Sequence, residues 1–313
     1  MKILLNKTLQ KYRKKSGTST KTDSFVHSLN VNRMAKTQVF TTVKSLQNHL
    51  SEVAKNRTVG FVPTMGALHA GHVSLVEASA EQCDFTVVSI FVNPTQFNNA
   101  SDLEKYPRNF EKDIALLEAT TETIVFAPTV EEIYPEGHQP ATMKLGRVAE
   151  IMEGEFRPGH FDGVVEVVYR FLEIVQPTHT FFGEKDLQQL SIIKRMAKEF
   201  DLSVEVVGCQ THRLEGGLAA SSRNERLTED QKGKALILFQ SLDRVRKEKE
   251  QYSPREAREK VKEWFQDSEL ELEYIEFVDA TTFEDVTEWT SNTHGCIAAF
   301  AGEVRLLDNI SMT

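Results

Sequence analysis

Long apolar runs and paired cysteines are what this 313-residue chain lacks. No stretch approaches the roughly 18–20 apolar residues of a membrane-spanning helix, so we expect no membrane as a partner. The three cysteines, Cys83, Cys209 and Cys296, are far apart and lack metal-ligand spacing, which indicates buried thiols in a reducing compartment. We therefore predict a cytoplasmic protein, whose 40% hydrophobic and 27% charged residues suit a globular fold of two domains.

Acidic residues are almost missing from residues 1–36, where nine Lys and Arg accompany Asp23 alone. This segment is +8 within a chain of −9, so residues 37–313 carry −17. An acidic body argues against nonspecific nucleic-acid binding, and we expect no nucleic-acid partner. The basic head is rich in Ser and Thr, as transit peptides are, so organelle import is one alternative. We favour translation that begins near Met34, or a disordered N-terminal extension.

From Lys36 onward, strand patterns alternate with helix patterns. The predicted strands are apolar and β-branched, like strands buried on both faces of a sheet, and cover residues 59–62, 85–92, 123–127, 179–182 and 204–207. Predicted helices between and after them begin at residue 71 or cover residues 109–119, 164–174 and 187–200. The alternation predicts an α/β fold with a parallel sheet and ligands at the carboxyl ends of its strands.

The pattern changes after about Gly208. Two predicted helices, residues 228–246 and 254–267, precede three predicted strands, residues 272–278, 295–301 and 305–308. A hairpin turn at residues 301–303 joins the last two. We therefore predict a first domain over residues 37–210 and a smaller α+β domain over residues 211–313.

The run PTMGALHAGH, residues 63–72, lies between the first of these strands and the first helix. A helix N-terminus attracts phosphate because its N–H groups are unpaired and carry partial positive charge. His69 and His72, three residues apart, can donate hydrogen bonds to the same anion. Two surface histidines would be the commoner explanation of the tetrapeptide alone, but its place between a strand and a helix favours a nucleotide site.

Two further clusters follow predicted strands. Asn93 and Gln96 come just after the strand at residues 85–92, where a parallel sheet places its ligand groups. Lys185 follows the strand at residues 179–182 and offers a compact positive charge to a phosphate or carboxylate. Gln189 lies one helical turn later on the same side. Each cluster alone is about as often a capped or solvated turn.

Two predicted loops complete the set of candidates. The loop at residues 154–163 contains Arg157 and His160 and precedes a helix. The loop GGLAASSRN, residues 216–224, ends in Ser221, Ser222 and Arg223, whose hydroxyls and guanidinium can wrap phosphate oxygens. Its glycines suit closure over a bound substrate, although a Gly/Ser linker is the plainer alternative.

These motifs together resemble the pantothenate synthetase (pantoate–beta-alanine ligase) family. The chain is similar to it over roughly residues 37–312, through the motifs PTMGALHAGH, SIFVNPTQF, YPRN, FAPTVEEIYP, EGEFRPGHF, VQPTHTFFGEKDLQQL, GGLAASSRN and LLDN. The resemblance implies a Rossmann-like nucleotidyltransferase domain, a C-terminal lid domain and a homodimer. It also implies that pantoate and beta-alanine are joined with ATP and Mg²⁺, through a pantoyl adenylate.

The resemblance also implies roles for individual residues. His69, His72 and Lys185 would stabilise the triphosphate and the departing pyrophosphate, while Ser221, Ser222 and Arg223 would close over the phosphates. Met65, Gln96 and Gln189 would hold pantoate, and Gly183 and Asp186 would hold the adenosine; Met65 would also contact ATP.

The chain departs from the common pattern of the family at a few positions. Thr95 stands where Met is common and would make the pantoate wall smaller and wetter. Gly216 replaces an acidic residue and Ala220 a Met or Leu in the lid loop. Lys112 replaces an acidic residue associated with metal binding, which leaves Asp113 as a weak candidate for a metal ligand. We expect an active enzyme, because no phosphate-binding group is lost.

Two alternatives remain open. A cytidylyltransferase would share the His-x-Gly-His turn but has no need of Gln96, Gln189 or the GEKD segment. A catalytically silent relative would bind nucleotide or pantoate as a sensor, and only Thr95 and Gly216 favour it.

Overall fold

The computed structural model describes residues 37–98 and 100–313. The predicted basic extension at residues 1–36 lies outside them. Six strands form one sheet: β1 (Gln38–Phe40), β2 (Val59–Thr64), β3 (Phe85–Ile90), β4 (Ile124–Phe126), β5 (His179–Gly183) and β6 (Glu205–Cys209). Three more form a second sheet: β7 (Glu271–Asp279), β8 (Thr293–Ala301) and β9 (Val304–Ser311).

The first sheet is parallel throughout, in the order β1-β4-β3-β2-β5-β6. Its middle strands are buried along most of their length, which explains their near-continuous apolar sequences. The connections are helical: α1 (Val43–Val53), α2 (Ala70–Gln82), α3 (Ala100–Lys105), α4 (Phe110–Glu118), α5 (Val130–Ile133), α6 (Glu153–Phe156), α7 (His160–Val175) and α8 (Leu187–Glu199).

Strands β2 and β5 lie side by side but pair at only two positions, Gly60 with His179 and Phe61 with Thr180. By contrast, β2 pairs with β3 at six positions, through to Thr64. The strand order reverses at this same place, because the chain builds outward from β2 on one side and from β5 on the other. A cleft at the carboxyl ends of two such strands is where parallel sheets bind ligands.

Helix α7 crosses the core face of the sheet and carries eleven buried residues, among them Phe161 and Phe171. Gly163, in its first turn, lies against the backbone that follows β3. A Cβ at this position would lie 2.5 Å from the carbonyl oxygen of Thr95, so only glycine allows the approach. The first turn of α7 therefore fixes the position of the turn that carries Gln96.

The C-terminal half begins with two amphipathic helices, α9 (Glu229–Glu248) and α10 (Pro254–Gln266). They cover the antiparallel sheet β7-β8-β9, whose last two strands form the predicted hairpin with Gly302 at φ 63°. Their apolar side chains form a core of their own, including Leu242, Val261 and Ile297.

The α/β class, the parallel sheet and the antiparallel C-terminal sheet are confirmed. The division into domains at residue 210 stays a prediction. Strand β1 and helices α1, α3 and α5 were not predicted, and β1 has only three residues and is largely exposed. The predicted loop at residues 154–163 is wrong in part, since it contains most of α6 and the first turn of α7. No helix among the described residues is long and apolar enough to cross a membrane.

Candidate active site

A cavity of about 210 Å³ opens at the carboxyl edge of the sheet, over the gap between β2 and β5. Its walls contain every candidate site residue from the sequence except Asp113: Met65, His69, His72, Gln96, Gly183, Lys185, Asp186, Gln189, Ser221, Ser222 and Arg223. These residues come from four separate segments, so the fold brings together the groups that the sequence marked one by one.

The two histidines lie at the start of α2, with ring centroids 4.1 Å apart. His69 is the N-cap residue, and its Nδ1 accepts from the backbone N–H of Gly71 at 3.1 Å. The Nδ1 of His72 accepts from the backbone N–H of His69 at 3.4 Å. In a neutral imidazole one nitrogen accepts and the other carries the proton, so both rings have Nε2–H free to donate to a ligand.

Both imidazoles are held in the neutral state. Burial, helped by the charge of Lys185, lowers the pKa of His69 to about 4. Burial, together with His69 and Lys185, lowers the pKa of His72 well below its usual value. They therefore act as hydrogen-bond donors and not as cations near neutral pH.

Asp113 lies outside the cavity, buried beneath the turn between β2 and α2. Its Oδ2 accepts from the N–H of Ala67 at 3.0 Å and its Oδ1 from the N–H of Leu68 at 2.7 Å. Gly66 and Ala67 have φ of 75° and 50°, an unfavourable conformation for alanine. The carboxylate stabilises this strained turn and so sets the position of the histidines.

A buried amide pair forms the part of the cavity after β3. Gln96 donates from Nε2 to Sδ of Met65 at 3.0 Å and accepts from Nδ2 of Asn93 at 3.3 Å. Asn93 also donates to the carbonyl of Gly163 at 3.1 Å. Tyr134 donates its hydroxyl to Oδ1 of Asn93 at 2.9 Å. This network orients the Gln96 amide toward the cavity beside an apolar sulfur.

Lys185 lies just past β5, across the gap from the histidines. Its Nζ is 3.4 Å from Oδ1 of Asp186. Asn309, on β9, donates from Nδ2 to the carbonyls of Glu184 and Lys185 at 3.0 and 2.7 Å. The second sheet thus holds the lysine turn in place, and Gln189 lies on the first turn of α8 beside it.

Ser221, Ser222 and Arg223 cover the cavity from the C-terminal half. The hydroxyl of Ser222 is 3.2 Å from that of Tyr106, and Arg223 donates to Oδ2 of Asp102 at 3.0 Å. Both partners belong to the segment around α3. Contacts with Tyr106 and Asp102 therefore hold this loop over the cavity.

Several residues have places that the sequence did not reveal. Tyr106, His212 and Asn309 border the site or support it, and none is part of a recognisable turn motif. The YPRN and LLDN motifs held the signal for Tyr106 and Asn309. Arg157 and His160, which the sequence analysis placed among the candidates at residues 154–163, both line the cavity.

The residues that depart from the family pattern lie in different surroundings. Thr95 is exposed, donates to Oδ1 of Asn93 at 3.1 Å and does not line the cavity, so the changed pantoate wall stays a prediction that this geometry does not support. Ala220 does line it. Gly216 has φ 82°, a conformation that glycine tolerates best. Lys112 forms an ion pair with Glu225 of the covering loop.

The described residues contain no cluster of protein ligands that could hold a metal ion by itself. They contain no group of three or more His, Cys, Asp and Glu with suitable geometry. Both oxygens of Asp113, the one candidate from the sequence, are committed to backbone N–H groups. A cation would therefore have to be held mainly by its other ligands.

The chain is similar to known proteins over the whole described region. The family model for pantoate-beta-alanine ligase matches residues 38–311. Pantothenate synthetase from Bacteroides thetaiotaomicron is 47% identical over 87% of this chain and 98% of its own length. That from Porphyromonas gingivalis is 43% identical over 87% and 98%.

Solved structures agree with this. The crystal structure of pantothenate synthetase from Thermus thermophilus has a TM-score of 0.82 and 40% identity over 88% of this chain and 99% of its own. Pantoate-beta-alanine ligase from Francisella tularensis, complexed with beta-gamma ATP and beta-alanine, has a TM-score of 0.73 and 33% identity over 88% and 98%. The chain therefore belongs to the pantoate–beta-alanine ligase family.

Proposed function

We propose that the cavity joins pantoate to beta-alanine in two steps driven by ATP. The chain is a ligase whose activity forms pantothenate. In the first step, a carboxylate oxygen of pantoate attacks the α-phosphorus of ATP and pyrophosphate leaves, which gives pantoyl adenylate. In the second, the amine of beta-alanine attacks the acyl carbon, loses a proton and displaces AMP. Adenylation is needed because a carboxylate by itself has only oxide as a leaving group.

The observation that carries this proposal is that one cavity brings together two unlike sets of groups. His69, His72 and Lys185 supply donors and positive charge without a protein nucleophile, which suits an in-line attack on phosphorus. Gln96 and Gln189 supply amides that suit the hydroxyls and carboxylate of pantoate. The two sets line the same cavity, so acid and nucleotide would meet inside it.

The covering loop supplies the remaining contacts. Ser221, Ser222 and Arg223 would close over the phosphates from above, and Gly183 and Asp186 would hold the adenosine. Closure would also keep water from the mixed anhydride of the adenylate. Met65 would contact both ATP and pantoate, since its sulfur lies against the Gln96 amide at the boundary of the two sites.

A relative with bound ligands supports the proposed substrates. The Francisella tularensis relative was crystallised with an ATP form and beta-alanine, which supports both as substrates here. Mg²⁺ would arrive on the phosphate oxygens of ATP, as hard cations with few protein ligands do. We also propose a homodimer in the cytoplasm.

The test is an assay of purified protein with ATP, Mg²⁺, pantoate and beta-alanine, in which AMP and pyrophosphate are followed separately. We expect abundant AMP with both organic substrates and none without pantoate. Exchange of labelled pyrophosphate into ATP should require pantoate but not beta-alanine, because the adenylate forms first.

Other outcomes identify the alternatives. Pyrophosphate release that depends on pantoate but ignores beta-alanine would indicate adenylation without ligation. Pyrophosphate release from CTP with a phosphorylated alcohol, and none from ATP, would indicate a cytidylyltransferase. Binding of ATP or pantoate with neither product would indicate a silent sensor, and the ligase proposal would then be wrong.

A further inference from the structure

A series of buried polar contacts leads from the C-terminal sheet toward Gln96. Arg305 on β9 donates from Nη1 and Nη2 to the two oxygens of Glu153 at 2.8 and 2.7 Å. It also donates from Nε to Glu273 on β7 at 2.8 Å. Tyr274, the next residue on β7, donates its hydroxyl to Glu153 at 2.9 Å. Two strands of the second sheet therefore hold one carboxylate of α6.

The carboxylate of Glu153 in turn contacts Arg157, whose Nη1 is 3.6 Å away. The same Nη1 lies 3.1 Å from Nε2 of His160. A guanidinium only donates, so Nε2 accepts and the proton of this imidazole is on Nδ1. Nδ1 lies 2.8 Å from the carbonyl oxygen of Gln96 and donates to it. The series thus ends on the backbone of the residue whose side chain faces the cavity.

The charge states agree with this arrangement. Burial by itself would raise the pKa of Glu153, but Arg305 and Arg157 bring it down to about 2, so the carboxylate is ionised. Burial, with the charge of Arg157, lowers the pKa of His160 to about 4, so the imidazole is neutral. A neutral ring is what both of its contacts require.

We propose that Arg305 is a positioning residue for pantoate, acting through Glu153, Arg157 and His160 on the backbone of Gln96. The inference rests on the proposed function, in which Gln96 binds pantoate. A buried ion pair contributes little net stability, because desolvation offsets its attraction, so a geometric role explains this one better. Among the described residues, no hydrogen bond or ion pair joins the lysine and histidines around the phosphates to this series, so the main effect is expected on pantoate.

The experiment compares Arg305→Lys with Arg258→Lys. The first keeps the charge but loses the two-pronged contact with Glu153. The second is the matched control, since Arg258 forms a part-buried 2.7 Å ion pair with Glu276 on β7 and lies outside the cavity walls. We expect Arg305→Lys to raise KM for pantoate about tenfold and to leave KM for ATP within about twofold, because misplaced binding groups weaken one site selectively. Arg258→Lys should change neither.

A second readout does not depend on activity. Nitrogen-15 NMR of the imidazoles should show His160 with its proton on Nδ1 in the wild-type protein and a mixture of tautomers in Arg305→Lys. Glu153→Gln should also give a mixture of His160 tautomers. When Arg305→Lys and Glu153→Gln are combined, the fold-rise in KM for pantoate should be smaller than the product of the two single-variant rises, because both changes act through the same series of contacts.

These results separate the two proposals. Failure of the wild-type protein to use pantoate would overturn the proposed function. The tautomer of His160 would still show whether the contacts from Arg305 to Gln96 are formed. An unchanged pantoate KM in folded Arg305→Lys would overturn the positioning role. So would an equal rise in KM for all substrates, or a fall in kcat that follows a lowered melting temperature alone, because these are the signs of a merely structural ion pair.

Discussion

The turn with the two histidines and the loop with the two serines face the same cavity, but they are held in different ways. Around His69 and His72, hydrogen bonds to backbone groups of the same turn and the buried Asp113 fix the geometry. The loop at residues 221–226 has one buried contact with the first half, between Ser222 and Tyr106, and is otherwise attached to it by ion pairs between side chains that are partly or largely open to solvent. Local, buried contacts are strong because water cannot compete, whereas exposed ion pairs contribute about 1 kcal/mol or less.

This difference indicates that the histidine turn and the loop at residues 221–226 have different roles. The histidine turn is ready before any ligand arrives, since its strain is stabilised within the folded protein. The loop includes a contact that a phosphate can replace, because Arg223 is paired with a carboxylate and a guanidinium binds carboxylate and phosphate oxygens alike. The following changes test the contrast, from the largest expected effect to the smallest.

Lys185→Ala tests the charged group that lies across the cavity from the histidine turn. Loss of its charge beside the phosphates should lower kcat by roughly 10²–10³ with the fold retained, because electrostatic groups of this kind contribute about 3–4 kcal/mol to the transition state. Steady-state AMP release and circular dichroism measure the two parts. Lys194→Ala, on the same helix-bearing segment but outside the cavity walls, is the control. Near-normal turnover would remove Lys185 from the catalytic groups.

Asp113→Asn tests the support beneath the histidines. The amide would present a donor to one of two N–H groups that now share a carboxylate, which leaves a buried N–H unsatisfied at a cost of about 1–3 kcal/mol. We expect kcat/KM for ATP to fall about tenfold or more, with a smaller fall in stability. Glu111→Gln, exposed on the same helical turn, should have no effect. If both variants behave alike, the carboxylate does not hold the turn.

The histidines themselves predict a pH dependence. Their folded-state pKa values lie below the unfolded value of about 6.5, at about 4 for His69 and lower than usual for His72. The unfolded chain therefore binds more protons, and stability should fall as pH decreases from about 6.5 toward 4, by at most about 1.4 kcal/mol per pH unit for each histidine. Denaturant melts of the wild-type protein and of His69→Gln should differ in this slope. Equal slopes would show that His69 is not buried as neutral imidazole.

Asp102→Asn tests the attachment of the loop at residues 221–226 and should have the smallest effect of the four. It releases Arg223 and Arg226 from a shared carboxylate. Stability should fall by less than about 1 kcal/mol, and KM for ATP should decrease or stay within about threefold, since the freed guanidinium needs no exchange of partners. Raising the ionic strength should reduce the difference from wild type. A large loss of stability would mean that the loop is as firmly built as the histidine turn.

The sequence predicted those parts of the molecule that local patterns determine. Strands buried on both faces have continuous apolar runs, and helices such as α7 show their period in the sequence, so both were found within a few residues. The His69–His72 turn was found because its chemistry is contained in ten consecutive residues. The resemblance to a family added the grouping of these motifs into one site.

Contacts between distant residues could not be predicted in this way. Glu153 and Arg305 are 152 positions apart, and nothing in either segment says which charge meets which. Asp113 was considered for a metal because the resemblance associates that stretch with metal binding, but its burial under Ala67 gives it backbone partners instead. Thr95 was placed in the pantoate wall by the resemblance to the family, yet the short turn after β3 points it to solvent.

The hydrogen bonds at the start of α2 also determine where protons can go in the second step. The Nδ1 lone pairs of His69 and His72 are both occupied by backbone N–H groups, so neither ring can take up a proton without breaking the cap of the helix. They are therefore poor bases for the ammonium group of beta-alanine, which, like that of lysine, is protonated at neutral pH. We therefore expect the amine to give its proton to solvent or to a phosphate oxygen of the proposed adenylate. The rate with subsaturating beta-alanine should then increase with pH in proportion to the free amine.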